Sequence, residues 1–211
     1  MNNQSKPNKK ILYIHGFNSS PLSIKAEQTR LFLSNYFPQV GFYCPQLATA
    51  PQEAIAQLEK IIEQYSDNTQ WFLIGSSLGG YFASYLTEKY QYLSVLVNPA
   101  VKPYELLSDY IGEQENPYTQ EVYQVKPEYL QQLQLIEQNK PAQSCQTKNN
   151  YLVMLQTADE VLNYQQAEEK YQHCQLIVQE GGDHSFIDFD KMLPVIAKFF
   201  NLPDYRLTMQ P

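Results

Sequence analysis

Short apolar runs recur along this chain and alternate with stretches whose apolar residues fall at helical spacing. Ile11-Leu12-Tyr13-Ile14, Val40-Gly41-Phe42-Tyr43, Trp71-Phe72-Leu73-Ile74, Leu93-Ser94-Val95-Leu96-Val97, Tyr151–Leu155 and Leu176-Ile177-Val178 read as strands. Between them, residues 23–36 carry Ile24, Leu31 and Phe32 on one face, with Phe37 just beyond. Pro51 suits the first turn of a second helix, followed by Ala54, Ile55, Leu58, Ile61 and Ile62. Further helical stretches cover Tyr81–Leu86, Gln165–Tyr171 and Met192–Phe200. Continuously apolar strands have no face to offer to water. The pattern therefore predicts an α/β fold, a mostly parallel sheet with helices on both faces. At 211 residues the chain is long enough for one domain with a sizeable core.

One strand-to-helix junction carries chemistry. Gly75-Ser76-Ser77-Leu78-Gly79 follows the Trp71–Ile74 run and precedes the helical stretch. A sharp turn of this kind leaves no room for side chains two positions either side of its tip. Gly75 and Gly79 let Ser77 sit strained, with its hydroxyl above the sheet. The helix starting at Leu78 aims free backbone N–H groups at whatever reacts there. A serine hydroxyl is a poor nucleophile without a base, and the base needs a partner to hold its tautomer.

Both partners are expected just after later strands, because active groups gather at the carboxyl ends of such sheets. The chain has three histidines. His15 precedes the serine at the end of the first strand, and His173 lies in a polar stretch that reads as surface. His184 sits on the Gly181-Gly182 loop and is the candidate base. The candidate acids are Asp159, Glu160 and Asp183. Asp159 comes first after its strand, which favours it over the other two. The order Ser77…Asp159…His184 is that of an α/β-hydrolase. An oxyanion hole would take one donor from the Leu78 N–H and a second from the loop after the first strand. There Gly16 allows a close approach, the Phe17 N–H is the expected donor, and His15 buttresses the loop. Asn18, Ser19 and Ser20 either line the pocket or form a turn before Pro21.

Composition narrows the partners. A net charge of −7 disfavours nucleic acid or an anionic membrane surface. No stretch approaches the ~18 apolar residues that span a bilayer. Residues 1–10 lack the apolar core of a signal peptide, and residues 1–9 and those after Leu202 are expected to be loosely ordered. Cys44, Cys145 and Cys174 show no metal spacing, and their odd number suits a reducing cytoplasm. Residues 101–148 contain no buried strand and one helical stretch near Tyr129–Ile136. An insert of this length between strands is expected to be a lid or a binding loop.

Several segments together resemble a known family. His15-Gly16-Phe17-Asn18-Ser19-Ser20-Pro21, Gly75–Tyr81, Asn98-Pro99-Ala100-Val101, Asp159-Glu160-Val161-Leu162 and Gly181-Gly182-Asp183-His184 are similar to the YqiA-type esterases, small bacterial α/β-hydrolases also filed as an uncharacterised protein family. The similarity runs from about Ile11 to Phe200. It implies a compact hydrolase fold, and the residues read as a single domain over 1–211 with a lid-like insert at 101–148. It also implies a Ser77–Asp159–His184 triad, no cofactor and no metal, and activity on acyl esters. Ala158 and Asn163 depart from the family pattern, and Asn163 removes a rival acid. The resulting expectation is a cytoplasmic serine esterase acting on a small acyl ester or thioester, without membrane insertion. Nothing in the residues sets an oligomeric state. An acyl-CoA thioesterase, with Lys25 or Lys102 meeting a phosphate, is the nearest alternative. A non-catalytic binding protein on the same fold is a more distant one.

Overall fold

The computed structural model describes residues 7–65, 67–138 and 147–202. Its strands are β1 (Asn8–Ile14), β2 (Gly41–Tyr43), β3 (Thr69–Ser76), β4 (Leu93–Val97), β5 (Gly112–Glu115), β6 (Val122–Val125), β7 (Tyr151–Gln156) and β8 (Gln175–Gln179). Its helices are α1 (Ile24–Tyr36), α2 (Pro51–Gln64), α3 (Leu78–Tyr90), α4 (Pro103–Leu107), α5 (Glu128–Gln138), α6 (Tyr164–Lys170) and α7 (Phe189–Phe199). Six strands form one parallel sheet in the order β2-β1-β3-β4-β7-β8. This is the architecture that the apolar runs predict.

Alternate residues of each strand feed two separate cores, as the two-residue period of a strand requires. Leu12, Ile14, Leu73 and Leu96 pack with Leu58 of α2, Phe82 of α3 and Leu133 of α5. Ile11, Tyr13, Phe72 and Ile74 pack with Leu33 of α1 and Ile196 of α7. The Phe72 and Phe200 rings stack with centroids 4.7 Å apart. The chain leaves β1 towards β2 on one side and returns to β3 on the other. That reversal opens a crevice at the carboxyl ends of β1 and β3.

The crevice depends on a close approach. A Cβ on Gly79 would lie 1.9 Å from the Ile14 carbonyl oxygen, and one on Gly75 would lie 2.4 Å from the Gly79 oxygen. The first turn of α3 is therefore pressed against the ends of both β1 and β3. No other residue type fits there without moving backbone.

Three expectations change. α1 buries Ala26, Thr29 and Leu33, while Ile24 is 70% and Leu31 49% exposed. Thr29 tolerates burial because its hydroxyl donates to the Lys25 carbonyl at 2.7 Å, one turn back. Asn8 and Lys9, expected to be loose, begin β1 and pair with Thr69 and Gln70. The 101–148 insert holds an antiparallel hairpin, β5 with β6. Exposed and less exposed residues alternate along it, and of these only Val125 is buried, so no apolar run marks it. Residues 1–6, 139–146 and those after Leu202, and with them Cys145, lie outside the described residues.

The packing at Gly79 gives a direct expectation. Overpacking against fixed backbone costs about 1–3 kcal/mol or more. Gly79→Ala should lower the melting temperature by more than about 5 °C, measured by thermal circular dichroism. A shift under about 1 °C would mean that α3 and β1 have room to separate.

Candidate active site

Ser77 stands at the tip between β3 and α3 with φ 55° and ψ −121°. That conformation is unfavourable for any residue with a side chain. Hydrogen bonds hold it in place. The Ser77 N–H donates to Val97 O at 3.1 Å, and the Ser77 carbonyl accepts from Gly80 N at 2.9 Å and Ala100 N at 3.1 Å. The turn is thus tied to the end of β4 as well as to its own helix.

His184 arrives on the loop after β8. Its Nε2 lies 3.1 Å from Ser77 Oγ, and its Nδ1 lies 3.0 and 2.9 Å from the two carboxylate oxygens of Asp159. The Asp159 side chain is only 1% exposed. Its Oδ1 also accepts from Val161 N at 2.9 Å and Leu162 N at 2.8 Å, so the buried charge is well hydrogen-bonded. The rival carboxylates are engaged elsewhere. Glu160 accepts from the His184 backbone N–H at 3.0 Å, and Asp183 accepts from the Ser185 hydroxyl at 2.5 Å. His173 is exposed on the turn after α6.

The loop after β1 faces the same point. A Cβ on Gly16 would lie 3.1 Å from Ser77 Cβ, which measures how closely the two backbones approach. His15 is buried, and its Nε2 accepts from Leu47 N at 3.2 Å. That leaves the proton on Nδ1, which donates to Gly16 O at 3.0 Å. Burial lowers the His15 pKa and keeps the ring neutral. The Gly16 carbonyl and the Phe17 N–H are opposite ends of one planar peptide. By fixing the former, His15 fixes the direction of the latter. Phe17, Ser77, Leu78 and His184 all line a single cavity.

Two buried amides that the sequence reading did not single out hold the histidine loop. Asn98, at the end of β4, donates to the carbonyls of Asp183 at 3.0 Å and His184 at 3.3 Å. Its Oδ1 accepts from Gln156 N at 3.0 Å. Gln156, at the end of β7, accepts from Asp183 N at 3.1 Å and Ile187 N at 2.9 Å, and donates to Ile187 O at 2.9 Å. Polar residues closing otherwise apolar strands were the available signal, and Asn98 falls within the Asn-Pro-Ala segment.

Two cavities flank Ser77. One of about 240 Å³ is apolar and lies under the insert, against Leu106, Leu107, Tyr110, Leu133 and Leu162. The other, about 440 Å³, is polar and runs between α1 and the histidine loop, past Asn18, Ser19, Gln28, Tyr118 and Glu160. Lys25 lines the polar cavity and donates to Ser185 O at 2.7 Å. Desolvation lowers its ammonium to about 8 against the opposing pull of Asp183 and Asp159. Lys102 pairs with Glu105 at 3.4 Å and lines neither cavity. Among the described residues, no group of three or more His, Cys, Asp or Glu side chains could hold a metal ion. Among them, too, no helix is long and apolar enough to cross a membrane.

The sequence model of the Uncharacterised protein family (UPF0227) matches residues 10–201, and the chain belongs to that family. The match coincides almost residue for residue with the extent of the YqiA-type resemblance. The structure is similar to the mouse alpha/beta hydrolase domain-containing protein 10, with a TM-score of 0.69 at 15% identity, covering 95% of this chain and 97% of that one. It is also similar to Est1E from Butyrivibrio proteoclasticus, with a TM-score of 0.66 at 15% identity over 95% and 89% of the two chains. The esterase domain of a Rhodothermus marinus protein gives 0.60 at 15% identity over 93% and 88%. The fold is that of the α/β-hydrolases.

Removing the Gln156 amide should loosen one loop and spare the sheet. Gln156→Leu leaves the Asp183 and Ile187 amides unpaired, each at about 1–3 kcal/mol. Hydrogen exchange across residues 182–188 should then quicken by at least ~10-fold with β1 unchanged. Unaltered exchange there would show that the loop is held by other contacts.

Proposed function

We propose that this member of the UPF0227 family is a serine hydrolase that cleaves carboxylic esters through an acyl-enzyme. The observation that carries the reading is the continuous hydrogen-bonded row from Asp159 through His184 to Ser77, with Ser77 on a strained turn. The α/β-hydrolase fold of the structural relatives supports it. Their esterase activities belong to those proteins.

In this reading Ser77 Oγ attacks the ester carbonyl as His184 Nε2 takes its proton. Asp159 holds the Nδ1–H tautomer and compensates the imidazolium charge. The backbone N–H groups of Leu78 and Phe17 receive the developing oxyanion, each worth on the order of 10²–10³ in rate. The tetrahedral adduct collapses, and the alcohol leaves with the proton from His184. Water then gives a proton to His184 and attacks the acyl carbonyl, releasing the acid and restoring Ser77.

The cavities bear on the substrate. The apolar cavity of about 240 Å³, lined by Leu106, Leu107, Leu133 and Leu162, suits the acyl chain. The polar cavity suits a hydrophilic alcohol portion. Lys25 lines the polar cavity and donates to the Ser185 carbonyl, and Lys102 pairs with Glu105 beside Leu106 and Leu162, so a coenzyme thioester is the second reading. A cytoplasmic setting fits the half-buried Cys44, whose thiol desolvation pushes up to about 12, well away from reactivity.

Purified Ser77→Ala should lose nitrophenyl-ester hydrolysis by a factor of at least ~10³. A fluorophosphonate probe should label the wild-type chain and not the variant. Equal rates in the two proteins would end the serine mechanism. Running octanoyl-CoA beside the matched oxyester separates ester from thioester preference.

A further inference from the structure

We propose that the β5–β6 hairpin of the insert positions the oxyanion loop, with Tyr123 and Asn116 as the positioning residues. The proposal rests on the reading of Phe17 as an oxyanion donor. Its basis is that the insert grips three consecutive residues of that loop. The Phe17 ring meets Tyr110 edge-on with centroids 5.2 Å apart, and Tyr123 at 6.4 Å. The Tyr123 hydroxyl donates to Asn18 Oδ1. Asn116 Nδ2 donates to Ser19 O at 2.9 Å.

Each grip acts on backbone that needs holding. Asn18 has φ 50°, in the left-handed region, directly after the Phe17 peptide. Asn tolerates that region better than most residues, because its short polar side chain can hydrogen-bond nearby. Burial pushes the Tyr123 phenol up to about 12, so it stays a donor through the neutral range. Asn116 is buried and works at both ends of its amide. Its Oδ1 accepts from Tyr118 N at 2.9 Å and Thr119 N at 3.1 Å, shaping the hairpin turn, while its Nδ2 reaches Ser19. A hairpin movement would therefore reach the loop directly. On its opposite flank the loop is fixed by His15, which holds Gly16 O.

Tyr123 and Asn116 line neither cavity that flanks Ser77. They line instead a small space of about 60 Å³ beside the oxyanion loop, together with Gly16, Phe17 and Leu78. An insert expected to be a substrate lid thus doubles as the outer support of the catalytic backbone. Its conformation sets how well the transition state is held.

The test compares wild type, Ser77→Ala, Tyr123→Phe and Asn116→Ala on acetyl and octanoyl nitrophenyl esters. It adds inhibition by a trifluoromethyl ketone, whose Ser77 adduct carries the oxyanion. Tyr123→Phe removes one hydroxyl and should keep the wild-type melting temperature. It should lower kcat on the order of tenfold for both chain lengths, with KM within about twofold, and weaken the ketone by the same factor. Asn116→Ala should act in the same direction. Both variants holding kcat within about twofold would overturn the proposal. So would a loss confined to KM that depends on chain length, which would make the hairpin a pocket wall. A fully active Ser77→Ala would overturn the serine reading and this proposal together. An inactive Ser77→Ala beside unimpaired Tyr123→Phe and Asn116→Ala would overturn this proposal alone.

Discussion

The backbone of Ser77 is the point on which the arrangement depends. Its φ of 55° and ψ of −121° cost about 1–3 kcal/mol relative to ordinary backbone. Val97 and Ala100 hold it from the β4 side, and the Gly75–Gly79 contact holds it from the β3 and α3 side. Gly79 also brings α3 onto the end of β1, where the oxyanion loop begins. One strained residue therefore fixes the relative positions of β1, β3 and β4. Relaxing it would move the hydroxyl, the Leu78 N–H and the Gly16 approach together.

Around that point, buried neutral amides do the work that apolar packing does elsewhere in the sheet. The carboxyl ends of parallel strands leave backbone groups that need partners. Asn98 and Gln156 supply them across β4, β7 and the histidine loop, each bond contributing about 1 kcal/mol net. His15 follows the same logic on the β1 side, where a neutral ring bridges Leu47 and Gly16. The proposed chemistry would thus run in a frame whose loops are tied to strands, and strands do not drift.

Much of this was legible in the residues. Apolar runs such as Trp71–Ile74 gave the strands because a strand buried on both faces admits few polar residues. The glycines around Ser77 and the Gly181-Gly182 loop pointed to the junctions where backbone must bend sharply. Other features left no such mark. Asn98 and Gln156 are ordinary polar residues until the fold brings β4 and β7 side by side. The β5–β6 hairpin alternates exposed with half-buried or buried positions, but Gly112, Gln114 and Tyr123 among the less exposed ones leave no apolar run to mark it. The buried face of α1 turned on Thr29, whose hydroxyl satisfies itself within the helix and so passes for an apolar residue. Asp159 was favoured over Glu160 and Asp183 by its place first after β7, and its carboxylate is the one that meets His184 Nδ1.

The central claim is that Ser77 becomes acylated during turnover. Rapid mixing with a nitrophenyl ester, followed by acid quench and peptide mass spectrometry, tests it directly. The account predicts a burst approaching one nitrophenolate per chain and an acyl mass increment on the peptide that contains Ser77. Steady turnover with no burst and no adduct, or an adduct on a different residue, would contradict it.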